Sequence, residues 1–396
     1  MRYSASKPES IRIVAIVSKI YQLVKAIAVG FCLVFSAACS DRETTEMSLA
    51  ANAAGQTLYQ QLITRARQHS GNINVDNSAS SADWKPAAFV NEDEPFELWV
   101  FLAIVRDQHG DSYAFQQRFA RLMLLPHTDS VSTSEWNYSD VMALDYQFDH
   151  LADGRSEQYA FAQRAALGLS GVDKTAKRIW VGGFDARQSA ISKCHKTIQV
   201  TSPKLDLQFG TPGVDQMSCE DIESAPVERV AAFSVSRGYA TPVVGQYQVD
   251  QQSLELSGHG WVIHGWGAPP DSLNAAVVLD RVWLLLDDKI DVQVQRSKRA
   301  SGRGPRITTG ALYNLDSMAT VERGSFSGEL TDSKTKSASN LPTSWQLESP
   351  NNKLSLTVEP VSSAARVQDL PGQSRFDVVL VHGSHDGYGF IDYNLR

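Results

Sequence analysis

From about residue 82 to the C-terminus, apolar residues come in short runs separated by polar turns, and no long stretch repeats with the period of a helix. Glu97 to Arg106 and Ser112 to Leu125 are apolar and aromatic, and Gln108-His109-Gly110-Asp111 between them reads as a hairpin turn. Met142 to Phe148 and Glu157 to Leu167 repeat the arrangement around Asp153-Gly154, a favoured tight-turn pair. Val277 to Leu286 and Ile290 to Arg296 flank Asp287-Asp288-Lys289. Within the last segment Asp291-Val292-Gln293-Val294-Gln295 alternates with period two, the signature of a strand with one wet face. Ala300 to Asn340 mixes Gly, Ser, Lys and Thr and reads as including long exposed loops. The pattern predicts an all-β protein in two strand-rich blocks, 82–232 and 233–396. So many antiparallel strands have edges to manage. Closing into barrels of about eight strands removes those edges and leaves room for a single apolar ligand.

The N-terminus follows other rules. Arg2, Lys7, Arg12, Lys19 and Lys25 precede an apolar run from Ala26 to Val34, and Ser36-Ala37-Ala38 then lead into Cys39. A basic region, a short apolar core and a small-residue cleavage site make a secretory signal. The run falls short of the roughly 20 residues that span a bilayer. Cys39 after Ser-Ala-Ala resembles a bacterial lipobox, with Ser36 where leucine is usual. The expected organisation is a signal peptide over 1–38, lipidation of Cys39, and a polar tether over 39–81 in which Leu49 to Arg67 could form a short helix. Ser40 after the cysteine fits sorting to the outer membrane, facing the periplasm.

Composition narrows the partners. Lys and Arg total 37 against 44 acidic residues in 396, a net charge of −7 that argues against nucleic acid. Of four cysteines, Cys32 leaves with the signal and Cys39 carries the lipid, leaving Cys194 and Cys219. An oxidising periplasm favours a disulfide between them. A metal site helped by His195 is the sharper alternative, without a CxxC or second cluster to support it. No metal and no cofactor are expected.

The segment richest in chemistry is Gly258-His259-Gly260-Trp261-Val262-Ile263-His264-Gly265-Trp266-Gly267. Tryptophans supply apolar surface and an N–H, histidines titrate near neutrality, and glycines permit close approach. The segment reads as a pocket wall without a carboxylate.

Several segments together resemble the AttH-like proteins, which include the carotenoid hydratases and related lipocalin-like cyclases. The motifs are Glu97-Leu98-Trp99-Val100-Phe101, Arg106-Asp107, Gly110, Tyr113-Ala114-Phe115-Gln116 and Phe119-Ala120-Arg121. Tyr239, Pro242 and Gly245 follow, then the glycine–tryptophan segment, Pro342-Thr343-Ser344-Trp345, and Gly387-Tyr388-Gly389. In the family pattern, Trp261 falls at an aromatic, His264 at a histidine and Trp266 at the closing tryptophan. Ile263 stands where the family has an aspartate that resembles the proton donor of the hydratases.

The resemblance implies two lipocalin-like (calycin) barrels packed together, with an apolar pocket near their junction. Many members are lipoproteins, and some are linked to ABC transporters with an FtsX-like permease. The expected pocket residues are Tyr239, Trp261, Ile263, His264, Trp266 and Trp99, with His264 the candidate catalytic group. Isoleucine supplies no proton, so the leading expectation is a membrane-anchored protein that binds an apolar lipid or terpenoid-like molecule without chemistry. The alternatives are a hydratase, isomerase or cyclase with an acid from elsewhere, and an accessory lipoprotein of a transporter. Trp99, Trp180, Trp283 and Trp345 are expected to fill the barrels, and Arg106 and Arg121 to close barrel ends through salt bridges. Asp145, Asp149 and His150 read as an exposed polar strand face rather than a metal site.

Overall fold

The computed structural model describes residues 89–90, 94, 96–123, 140–190, 196–210, 227–230, 233–238, 240–249, 252–267, 277–299, 307–316, 319–324, 329–332, 344–361 and 374–394. The expected signal peptide, lipidation site and tether, together with Cys194, Cys219 and Tyr239, lie outside the described residues. Strands β1 (Phe96–Asp107), β2 (Ser112–Met123), β3 (Asp140–His150), β4 (Ser156–Arg164), β5 (Ser170–Asp173), β6 (Arg178–Val181) and β7 (Phe184–Ala190) open the first sheet. It continues with β8 (Lys196–Thr201), β9 (Leu205–Phe209), β10 (Val227–Val230), β11 (Phe233–Arg237), β12 (Thr241–Val249) and β13 (Gln252–Gly267). The second sheet holds β14 (Val277–Leu286), β15 (Ile290–Arg299), β16 (Ile307–Asn314), β17 (Ala319–Gly324) and β18 (Glu329–Asp332). It closes with β19 (Trp345–Ser349), β20 (Leu354–Pro360), β21 (Ser374–Gly383) and β22 (Gly387–Asn394).

All pairings are antiparallel. The first sheet runs β4-β3-β2-β1-β13-β12-β9-β8-β7-β6-β5, with β11 on β13 and β10 on β11, and the second runs β17-β16-β15-β14-β22-β21-β20-β19-β18. One curls into a barrel and the other into a half-barrel. The change of sheet falls between Gly267 and Val277, so residues 233–267 pair with the first sheet and the expected division at 232/233 does not coincide with it. The reason lies in β13, which is long enough to pair with β1, β11 and β12 at once.

Strand alternation builds three apolar clusters. On β1, Trp99, Phe101, Ala103 and Val105 face the inside of the first barrel, where Phe115, Phe119, Tyr146 and Phe209 join them. The opposite face of the same strand, Val100, Leu102 and Ile104, packs with Trp261 and Ile263 against Trp283, Leu285, Phe376, Val378 and Phe390 of the second sheet. The other face of the second sheet gathers Val282, Leu284, Val292, Trp345 and Leu347. β1 and β14 are therefore buried on both faces, which is why they read as continuous apolar runs.

The stretch from 300 to 340 carries β16, β17 and β18, and the long loops expected within it lie outside the described residues. One expectation is corrected. Trp180 does not fill the barrel. Its neighbours Ile179 and Val181 point inward, so it lies outside, with the Arg178 guanidinium 4.8 Å above its ring.

Candidate functional site

The glycine–tryptophan segment is the C-terminal part of β13, and strand geometry divides its side chains between two faces. Trp261 and Ile263 turn outward to the second sheet, whereas Val262, His264 and Trp266 turn toward the barrel interior with Trp99. The residues expected in one pocket wall thus form two separate polar centres. Gly260 lets the backbones close up here. A Cβ at that position would stand 2.4 Å from the Leu102 carbonyl oxygen and 2.7 Å from the Phe209 ring.

The inward centre closes one end of the barrel. His264 lies between two indoles, stacked on Trp99 at 5.4 Å and tilted against Trp266 at 5.0 Å. Its Nε2 is 3.1 Å from Glu97 Oε1. The other oxygen of Glu97 pairs with Arg121 at 3.0 Å, and Arg121 also reaches Asp140 at 3.6 Å and donates to the Glu94 carbonyl at 3.0 Å. Trp99 Nε1 donates to the Phe89 carbonyl at 2.7 Å. Glu97 and Arg121 have no solvent exposure. A charged pair removed from water is costly unless its hydrogen bonds are met, and here Glu97 Oε1, the Glu94 carbonyl and Asp140 meet part of that need while Arg121 Nε makes no hydrogen bond.

The outward centre is smaller and holds an acid. Asp291 on β15 is completely buried. Its Oδ1 accepts from Trp261 Nε1 at 2.9 Å, and its Oδ2 accepts from the Ala240 backbone N–H at 2.8 Å and from Gln293 Nε2 at 2.9 Å. Burial pushes its pKa up to about 6, against the lowering effect of those three hydrogen bonds. The surroundings are aromatic: Trp261 meets Phe390 edge-on at 6.1 Å, and Trp283 lies 5.6 Å from Phe376. Gln293 also donates to the Gly238 carbonyl at 3.1 Å. The face of β15 expected to be wet is therefore covered, with Asp291, Gln293 and Gln295 all buried. Alternation in the sequence marks which residues share a face. It does not say that the polar face meets water.

The remaining candidates lie elsewhere. Asp145 pairs with Arg118, whereas Asp149 is buried, accepting from Gln147 Nε2 at 2.6 Å, so this is not an exposed face. His150 turns to the other side of β3, with Nδ1 2.6 Å from Asp153. Asp149 lies beside Asp377 of the second sheet in a cleft of about 20 Å³, room for one water. Burial, then the Asp377 charge, raises its pKa. Among the described residues no group of three or more His, Cys, Asp or Glu is placed to hold a metal. Arg106 meets Asp288 of the second sheet at 2.5 Å on the surface. Burial lowers the pKa of His259.

Solved structures share the fold, among them the following two. An AttH protein from Nitrosomonas europaea matches with a TM-score of 0.55 and 12% identity, covering 80% of this chain and 98% of its own. Kievitone hydratase from Nectria haematococca matches with a TM-score of 0.50 and 12% identity, covering 76% of this chain and 89% of its own. No curated protein matches the sequence. The AttH-like family matches over residues 86–394, which takes in every strand of both sheets and both polar centres. The chain belongs to the AttH-like family.

Proposed function

We propose that the protein transforms an apolar, unsaturated small molecule at the junction of its two sheets, with Asp291 as the acid. The observation that carries this reading is a fully buried carboxyl, hydrogen-bonded to Trp261, whose pKa is raised to about 6. Protonating an isolated alkene needs an acid that holds its proton near neutrality and surroundings that shelter the resulting cation. At pH 7 roughly a tenth of such a carboxyl is protonated, against less than a thousandth at the usual value. Proton transfer from the Asp291 O–H uses the alkene π electrons to form the new C–H bond. The cation left behind faces the aromatic rings of Trp261, Trp283, Phe376 and Phe390. Water can capture it and return a proton to Asp291, which is hydration. Loss of a neighbouring proton to Asp291 is isomerisation. No solvent touches this carboxyl, so the reading requires junction side chains to move aside when a substrate enters. That a protein named as a hydratase shares the fold adds support.

The test is deuterium incorporation. Apolar compounds extracted from the protein purified from its own membranes are returned to it in heavy water. Wild type should place deuterium on carbon, and Asp291→Asn should lose this by at least a hundredfold while still binding. No deuterium with wild type would overturn the catalytic reading.

A second reading is favoured by Ile263, which the resemblance to the family pattern sets where the hydratases carry an aspartate. It is that of a binding protein that shelters a lipid or terpenoid-like molecule without changing it. Recovery of a bound compound that the protein leaves unlabelled would support it, and recovery of no compound above a control would sink both readings. In either case we place the protein in the bacterial envelope, anchored through Cys39 and facing the periplasm, where an ABC transporter permease is a fitting partner.

A further inference from the structure

The interior of the first barrel is built in cross-strand rows. Trp99, Phe119 and Leu144 form one, Ala103, Phe115 and Phe148 another, and Phe101, Gln117 and Tyr146 lie between them. Gln117 is the odd member of this aromatic stack. It has no solvent exposure, and neither its side-chain nitrogen nor its oxygen has a hydrogen-bond partner. Tyr146 opposite is equally enclosed, and its hydroxyl has Ser202 beside it but no hydrogen bond of normal geometry. An amide so placed gives up its hydrogen bonds to water and gains none from protein, an arrangement that folded proteins rarely keep without an internal guest.

The barrel also has a seam. Its ladder ends with β4 at one edge and β5 at the other, so rings close the gap instead of backbone pairs. Tyr146 meets Tyr159 at 5.7 Å and Phe184 at 5.2 Å, and Phe161 meets Phe184 at 6.1 Å. Tyr159 is 40% exposed, which makes it the solvent end of a row of rings leading to Gln117.

We propose that the first barrel holds a water-sized guest on Gln117, one that offers a donor and an acceptor together and exchanges past Tyr159. The amide oxygen accepts from the guest and its NH2 donates to it. This site is separate from the junction, on the opposite face of β1 and β2, and stands whether or not Asp291 is an acid. The experiment uses the full-length chain labelled with nitrogen-15 glutamine, with Gln117→Leu identifying the signal and Gln117→Met replacing it should the leucine variant not fold. The Gln117 NH2 should show cross-relaxation with a water resident longer than molecular tumbling, and Tyr159→Ala should speed its exchange about tenfold. Cross-relaxation with carbon-bound protons would uphold the site and identify the guest as the polar end of an organic molecule. No cross-relaxation at all, or an exchange rate unchanged within twofold in Tyr159→Ala, overturns the proposal.

Discussion

A carboxyl that keeps its proton to about pH 6 leaves a mark on stability as well as on chemistry. In the unfolded chain Asp291 ionises near 3.8, and in the fold near 6. Below about pH 4 both states hold the proton and burial is not penalised. As pH rises from 4 to 6 the unfolded chain loses its proton while the native state keeps it, so stability falls across that window by roughly 3 kcal/mol. Asp149, whose pKa is also raised, adds in the same direction. Melting temperatures measured from pH 3.5 to 7 should therefore decline for wild type, and Asp291→Asn should flatten the decline without abolishing it. An unchanged slope in the variant would mean that Asp291 titrates as an ordinary surface acid. Arg121 makes the opposite case, since its removal leaves Glu97 and Asp140 without the cation between them. Arg121→Met should cost about 3–5 kcal/mol in urea unfolding.

Strands and hairpins were well marked along the chain, because they depend on local rules. The turn at 108–111, the Asp153-Gly154 turn and the Asp287-Asp288 turn all join the strands expected of them, and Asp287 and Asp288 both take positive φ. What could not be read was which residues from distant strands meet. The segment at 258–267 reads as one wall, and its side chains divide between two faces that meet different strands. Its missing carboxylate arrives on one side as Glu97 and on the other as Asp291. Glu97 stood in the opening family motif and Asp291 in an alternating strand, with nothing in the local pattern to connect either to β13. The close approach along β13 gives its own test. Gly260→Ala places a methyl group against the Leu102 carbonyl and should cost about 1–3 kcal/mol or prevent closure. Gly238→Ala, whose nearest atom would be 3.7 Å away, should be nearly neutral by comparison.

At the scale of the whole molecule, the sheet-to-sheet junction carries both an apolar cluster shared by the two sheets and the proposed acid, so under the proposed function binding and stability are linked there. A ligand seated against Trp261 should raise the melting temperature with its concentration. The proposed anchor is tested separately. Replacing Cys39 by serine should move the protein from the membrane to the soluble fraction and remove the mass of the acyl chains, leaving the sheets as they are. Unchanged mass and unchanged membrane association would refute lipidation.

The pairing of β1 with β13 also governs when the molecule can come into being. Phe96 lies beside Gly267 and Asp107 beside Leu256, so a strand made early needs a partner made much later. Until that partner arrives, β1 and β2 form a hairpin with greasy sides and an open edge, the kind of species that associates wrongly. Loop closure over such a span is slow, and folding of the first barrel waits on the last strand of its sheet. A chain cut short before Gly267 should be a substrate for chaperones and proteases rather than a smaller working protein.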